Sequence, residues 1–166
     1  MHSLVAAFEW LEGLAWTTAL RESPFGYPLI ETSHVACIAV FAGLVIMMDL
    51  RLVGLAFTQA PVAQIQQRLF PWQVGTFVPS AATGILLFCV DPLRYYGNAL
   101  FLAKLTFLVL AGLNALAFHL KTYRRADRWD EDSQVTAVAR FAGAASLLLW
   151  SATIISSRLI PNNWFK

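Results

Sequence analysis

Four long apolar stretches, separated by short connections, dominate this sequence of 166 residues. They cover residues 29–55, 72–90, 99–123 and 135–158. A helix needs roughly 20 apolar residues to cross the hydrocarbon core of a bilayer, so each stretch is predicted to span a membrane. Pro28 and Pro71 are well placed to begin the first two helices. Short connections make successive helices antiparallel, and the expected fold class is all-α, an integral membrane four-helix bundle.

The composition agrees with a membrane protein. Apolar residues make up 58% of the chain and charged residues only 13%, whereas a soluble domain carries about 25% charged residues. The net charge of +2 and the lack of a basic block argue against nucleic acid as a partner. Cys37 and Cys89 lie inside apolar runs and form no C-x-x-C motif, which argues against a zinc site and covalent haem attachment.

The N-terminal segment, residues 3–21, differs from the four apolar stretches. Glu9 and Glu12 interrupt it, and its tryptophan and phenylalanine side chains suit the membrane surface. We predict an N-terminal interfacial amphipathic helix there, with a fifth membrane span as the alternative. No signal peptide is indicated, and no linker or repeat divides the chain, so residues 1–166 are expected to form a single transmembrane domain.

Lysine and arginine residues favour one end of the predicted helices. The end at which the first span finishes holds Arg51, Arg68, Lys121, Arg124, Arg125, Arg128 and Arg140. The opposite end holds only Arg21, Arg94, Arg158 and Lys166. By the positive-inside rule, the connections 58–71 and 121–134 are predicted to be cytoplasmic, and the connection 91–98 to face outward.

The first span carries the ionisable residues Glu31, His34, Asp49 and Arg51, each of which needs a partner or a function in hydrocarbon. At about 100° per residue, Glu31 and Asp49 fall on one face, and His34 lies about 60° away. We predict that this polar stripe faces the protein interior. Asp49 and Arg51 point about 200° apart and are not expected to pair; Arg51 is expected to reach the headgroups or an adjoining loop.

The third span carries Lys104, Asn114 and His119. The helix rises about 22 Å between Lys104 and His119, so these two residues are expected near opposite membrane surfaces. His34 is expected near the same surface as Lys104, and Asp49 near that of His119. His34 and His119 are therefore not expected to share one metal ion.

Each of these residues also has a purely structural interpretation. His34 could be a buried histidine hydrogen-bonded to Glu31 or to a helix backbone, and His119 could pair with Asp49. Lys104 could pair with Glu31 or extend to the membrane surface. Two runs of small residues, 80–84 and 142–146, either let helices pack closely or leave room for a flat macrocycle, and close packing is the commoner reason.

Several motifs between residues 21 and 120 are specific enough to compare with known families. They are Glu22-Ser23, Tyr27-Pro28, Glu31-x-x-His34, Phe41-Ala42-Gly43, Asp49-Leu50-Arg51-Leu52, Thr83-Gly84-Ile85-Leu86-Leu87-Phe88, Lys104, Ala111-Gly112-Leu113-Asn114-Ala115 and Phe118-His119. Together they resemble an uncharacterised bacterial family of small membrane proteins, a domain of unknown function. The resemblance implies a multi-pass protein of the bacterial inner (plasma) membrane and supplies no activity.

A more distant likeness concerns the first span. His34, the run Phe41-Ala42-Gly43-Leu44 and the pair Arg51-Leu52 are similar to the first helix of HemJ-type protoporphyrinogen oxidases, and copper-resistance D-type proteins have a related helix. The HemJ-type family is a four-helix membrane bundle that binds b-type haem through a histidine in this position and has an essential lysine on its third helix. The resemblance implies that His34 ligates haem iron and that Lys104 is the matching lysine.

The sequence therefore predicts a membrane b-type haem protein with a redox or electron-transfer role. The predicted cofactor-binding residues are His34, Lys104, Glu31, His119 and Asn114. One haem is expected at His34, or two if His119 ligates a second. Expected partners are the lipid bilayer, a redox partner or quinone, and further copies of the chain. The alternatives are a HemJ-like porphyrin-oxidising enzyme and a transporter or structural subunit without a cofactor.

Overall fold

A computed structural model describes residues 2–121 and 135–160, and within these ranges the protein is all α-helical. The helices are α1 (His2–Glu12), α2 (Ala15–Glu22), α3 (Gly26–Val53), α4 (Val62–Val90), α5 (Pro92–Tyr95), α6 (Ala99–Lys121) and α7 (Ala137–Leu159). Four of the described helices, α3, α4, α6 and α7, are long and apolar enough to cross a membrane. The predicted all-α fold with four long apolar helices is confirmed.

The surface of these four helices is apolar. In the most apolar window of each helix, only 6% to 28% of the residues are buried inside the protein. Phe141, Leu148 and Ile85 are among the large apolar side chains that lie mostly exposed. A monomeric soluble protein rarely exposes so much contiguous apolar surface. The helices therefore have the surface expected of a multi-pass membrane protein.

The helix α3 ends at Val53, two residues before the predicted end at Leu55, and its last turn shows why. Gly54 has a φ of 88°, a left-handed conformation that glycine adopts at little cost. Its N–H is 3.2 Å from the Arg51 carbonyl oxygen, and the Leu55 N–H is 2.9 Å from that of Leu50. These two bonds form a Schellman motif, which satisfies the last carbonyl groups and ends the helix.

The prediction that Pro71 begins the second long helix is wrong, because α4 begins at Val62 and Pro71 lies in its interior. The added N-terminal part carries Arg68 and several glutamines. The 29 residues of α4 rise about 43 Å, which exceeds the roughly 30 Å hydrocarbon core. The apolar part 72–90 can still cross the membrane while the polar first turns extend beyond it.

The bounds of the other two long helices agree with the sequence to within about one turn. Thr136 caps the N-terminus of α7, because its hydroxyl accepts a hydrogen bond from the Ala139 N–H at 3.3 Å. The predicted end of the third span at Tyr123 lies outside the described residues. The same holds for most of the connection 121–134, and for Arg124, Arg125, Arg128 and Lys166, on which the predicted orientation partly rests.

The N-terminal segment forms two short helices, α1 and α2, that meet at Gly13 and Leu14. Thr17 stabilises the junction, since its buried hydroxyl donates to the Leu14 carbonyl oxygen at 2.7 Å. With 11 and 8 residues, each helix is shorter than the roughly 20 residues that a span requires. These lengths suit the predicted interfacial position.

Aromatic and ionic contacts attach the N-terminal helices to the end of α4 and to α5. The Phe8 ring meets those of Phe88 and Tyr96 edge to face, at 5.9 and 5.6 Å between centroids. Arg21 forms an ion pair with Glu12, and its guanidinium lies 3.4 Å from the Val90 carbonyl oxygen. The N-terminal segment thus lies beside the end of α4 that leads into the connection 91–98.

The chain divides into two compact units, and α3 and α4 each contribute to both. The first unit consists of Met1–Phe41 and Val74–Asn98, and the second of Ala42–Gln73 and Ala99–Lys166. In the second unit, α6 packs along α7. Its buried apolar cluster consists of Met48, Leu52, Val62 and Ala139.

Gly143 lets α7 approach α3 closely within the second unit. A Cβ atom at this position would lie 2.9 Å from the Leu52 Cβ and 3.1 Å from the Asp49 backbone oxygen. Between α6 and α7, the Asn114 side-chain amide donates to the Ala142 carbonyl oxygen at 2.9 Å. At Gly143, the small-residue run 142–146 therefore serves close helix packing, the commoner of the two predicted reasons.

Candidate functional site

His34 is half-buried on α3, and its ring faces α4 within the first unit. Its Nδ1 atom is 2.9 Å from the Ser80 carbonyl oxygen and 3.2 Å from the Thr83 hydroxyl. A carbonyl oxygen only accepts hydrogen bonds, so Nδ1 carries a proton and donates it. In the neutral ring the lone pair is then on Nε2. The contact with α4 therefore fixes both the orientation and the tautomer of His34.

This hydrogen bond to a helix backbone is one of the structural interpretations that the sequence left open for His34. It is also the bond by which metal-ligating histidines orient their rings, because they nearly always donate the second ring N–H to a carbonyl or carboxylate oxygen. The geometry thus makes Nε2 the atom that would ligate a metal.

Gly84 allows the His34 ring to reach the α4 backbone. A Cβ atom on Gly84 would lie 3.0 Å from the His34 Cε1 atom and 3.5 Å from Nδ1. The neighbouring Thr83 hydroxyl donates to the Pro79 carbonyl oxygen at 2.7 Å, which leaves its oxygen able to accept from His34. At Gly84, the small-residue run 80–84 makes room for an imidazole ring. The sequence indicated close approach here but not the partner.

Gly84→Ala is expected to destabilise the first unit relative to the matched change Gly75→Ala in the same helix. Both changes remove the backbone freedom of a helical glycine, which stabilises a helix by about 0.5–1 kcal/mol. At Gly75 an added Cβ meets no atom within 4 Å, whereas at Gly84 it presses on the His34 ring. Thermal unfolding in detergent should place Gly84→Ala about 1 kcal/mol or more below Gly75→Ala. Equal unfolding temperatures would contradict the contact.

The prediction that Glu31 and Asp49 both face the interior is wrong for Glu31. Asp49 is buried, but the Glu31 side chain is exposed. Glu31 lies in the part of α3 that belongs to the first unit, and Asp49 in the part that belongs to the second. Each part of the helix therefore packs against different neighbours, and a face buried in one unit need not be buried in the other.

Lys104 is half-buried on α6, with its Nζ atom 6.0 Å from the centroid of the Phe101 ring. The ion pairs between described residues join Arg21 to Glu12 and Arg94 to Asp91, so Lys104 has no ion-pair partner among them. A cation–π contact of this length offsets only part of the cost of an ammonium group in hydrocarbon. The Lys104 ammonium group is therefore able to bind an anionic group of a ligand.

The other two predicted site residues lie further along α6. Asn114 uses its amide nitrogen in the bond to α7, which gives it a structural role. His119 is exposed, and its ring stacks on Phe70 with 6.3 Å between centroids. Because α6 is uninterrupted from Ala99 to Lys121, the rise of about 22 Å between Lys104 and His119 holds within this helix.

Among residues 2–121 and 135–160, no group of three or more histidine, cysteine, aspartate or glutamate side chains could hold a metal ion.

Arg51 was predicted to reach either the headgroups or an adjoining loop. The structure shows the second arrangement, because the Arg51 Nε donates to the Ala60 carbonyl oxygen at 2.8 Å. Cys37 and Cys89 are free thiols.

The sequence matches a known family over most of its length. The matched residues, 22–163, include every residue of the His34 site and all four long helices. No curated protein and no solved structure matches the chain. These comparisons show no likeness to HemJ-type oxidases or copper-resistance D-type proteins. They do show that the chain belongs to a family of unknown function, DUF6644.

Proposed function

We propose that this chain is a b-type haem protein of the bacterial inner membrane with a redox or electron-transfer role. One observation carries the proposal: the His34 Nδ1–H donates to the Ser80 carbonyl oxygen, so that Nε2 holds the lone pair. In this role Nε2 would ligate the haem iron. The resemblance to HemJ-type proteins that the sequence motifs of the first span suggest, which the comparisons do not show, implies the same assignment.

The donor set around His34 fits a haem better than a bare metal ion. A porphyrin supplies four ligands itself, so haem iron needs only one or two axial side chains from the protein. A single histidine with a fixed tautomer meets that requirement, and the Ser80 carbonyl group and Gly84, one turn apart on α4, hold its ring against that helix. A bound haem would supply reversible one-electron transfer at its iron, and apolar helices around it would limit the access of water.

The resemblance implies that Lys104 pairs with an anionic group of the ligand, such as a haem propionate. Lys104→Met removes the ammonium group and retains a long apolar side chain, whereas Lys104→Arg retains the charge. A hydrogen bond to a charged group contributes about 1.5–3 kcal/mol, so Lys104→Met should weaken haem binding by about tenfold or more. Haem titration of the apoprotein measures this effect. Equal affinities for the two variants, at equal expression, would contradict a role for the charge.

Two variants of the proposal concern what the protein does with a haem. As an electron-transfer protein it would exchange electrons with a redox partner or a quinone, and as a HemJ-like enzyme it would oxidise a porphyrin. Conversion of added protoporphyrinogen to fluorescent protoporphyrin by the purified protein would distinguish the enzyme from the electron-transfer protein.

His119 stays a candidate ligand for a second haem, and Glu31 stays a candidate contact of the first haem. A transporter or structural subunit without cofactor would be colourless when purified from haem-replete cells.

A further inference from the structure

The second unit buries a carboxyl group that the proposed haem site does not use. Asp49 lies one turn before the end of α3 and is only 5% exposed. Its Oδ2 atom is buried and has no hydrogen-bond partner among the described residues. Ser146 of α7, also buried, is the hydrogen-bonding side chain that lies beside this carboxyl group.

No cation among the described residues balances a charge on Asp49. Besides Asp49, the ionisable side chains that the structure describes on the helices of this unit are Arg51 on α3, Arg68 on α4, Lys104 and His119 on α6, and Arg140 and Arg158 on α7. None of these described cations forms an ion pair with Asp49, and Ser146 is the hydrogen-bonding side chain beside it. Arg51 is the nearest of them in sequence, and its Nε is bound to the Ala60 carbonyl oxygen.

The close approach of α7 contributes to the burial of Asp49. The α7 backbone passes α3 so closely that a Cβ on Gly143 would lie 3.1 Å from the Asp49 backbone oxygen. An ionised carboxylate in such a place is strongly disfavoured unless it is paired with a cation or accepts several hydrogen bonds. Asp49 has Ser146 alone, so its ionised form is not compensated by any described group.

A bound cation would balance the charge of an ionised Asp49, and the number of oxygen ligands beside it favours a proton over a metal ion. A metal ion with oxygen ligands commonly needs about six of them, and the described side chains at Asp49 supply only its own carboxylate and the Ser146 hydroxyl. A proton needs one carboxylate oxygen. We propose that Asp49 is an intramembrane proton-binding site: an O–H bond forms on the carboxylate, and the neutral acid is the resting form.

The position of Asp49 near the end of α3 gives this proton a short route. About one helical turn, a rise of roughly 6 Å, separates Asp49 from Val53, the last residue of α3, and the predicted cytoplasmic connection 58–71 follows a few residues later. Protons would be exchanged with water on that side. The inference does not depend on haem binding.

Infrared spectroscopy of the full chain in nanodiscs at neutral pH tests the proposal. The wild-type protein should show a carboxylic acid C=O stretch that moves to lower frequency in heavy water, and Asp49→Asn should lack it. Asparagine is close in size and uncharged, so it replaces the neutral acid without a new cavity. Ser146→Ala should keep the band but shift its frequency, because the acid loses its hydrogen-bonding neighbour. Glu31→Gln, at an exposed carboxylate of the same helix, should leave the band unchanged.

Three results would overturn the proposal. One is a wild-type spectrum without an acid band, and another is an acid band that Asp49→Asn leaves intact. The third is a rise in thermal stability when choline is replaced by sodium, seen in the wild type and absent from Asp49→Asn, which would assign the site to a metal ion. If Asp49→Asn fails to fold, the Ser146→Ala spectrum decides, since an unshifted band places the acid elsewhere.

Discussion

His34→Ala is expected to remove the haem that the wild-type protein binds, while the protein still inserts into the membrane. Insertion depends on the four apolar helices, and one imidazole contributes little to it. Loss of a residue that merely orients a metal ligand commonly weakens binding by 10–100-fold, so loss of the ligand should lower affinity by about a hundredfold or more. The measurement is the ratio of haem to protein after purification, compared at equal expression.

His119→Ala is the control for this prediction. The rise along α6 places His119 about 22 Å from Lys104, and Lys104 is expected near the same membrane surface as His34. His119 is therefore expected either to bind no haem or to ligate a second, separable haem. His119→Ala should leave the His34-dependent spectrum unchanged. Loss of one and the same haem in both variants would contradict this separation, and no spectral change in either variant would place the iron ligand elsewhere.

Gly143→Ala is expected to lower the free energy of unfolding by about 1–3 kcal/mol, since overpacking a close helix contact forces backbones or side chains apart. The new Cβ atom would lie 2.9 Å from the Leu52 Cβ, and neither helix backbone can yield cheaply. Gly112→Ala on α6 is the matched control, because a Cβ there meets no atom within 4 Å and should stabilise the helix by about 0.5–1 kcal/mol.

Thermal unfolding in one detergent gives both values for this pair. The signs of the two changes should be opposite. A stabilising effect of Gly143→Ala would mean that α7 does not pack against α3 as closely as the structure has it.

Hydrophobicity alone predicted the number of long helices and most of their length, because the thickness of a bilayer sets how long an apolar run must be. Helix ends depend on local bonds that hydrophobicity does not report. Gly54 ends α3 through a Schellman motif, and a glycine just after an apolar run is typical of a helix C-terminus. The sequence does not reveal the start of α4, because Pro71 suits the first turn of a helix equally well, although proline can also lie within a long membrane helix.

The candidate site was predicted less completely than the helices. The sequence singled out His34 as a polar residue on an apolar helix, but periodicity cannot say which atom of another helix meets its ring. The partner, the Ser80 carbonyl group, belongs to the backbone and carries no side-chain signature. The expectation for Glu31 fails because a single helical period assumes that one set of neighbours buries the whole length of α3, whereas α3 contributes to two units.

The absorption spectrum of the wild-type protein, purified from haem-replete cells and followed by a pyridine haemochrome assay, tests the central claim most directly. The account predicts a Soret band and the haemochrome of non-covalently bound b-type haem, at about one haem per chain, or two if His119 ligates a second. A well-folded, colourless protein that binds no added haem would contradict it, and His34 would then be a structural histidine hydrogen-bonded to α4.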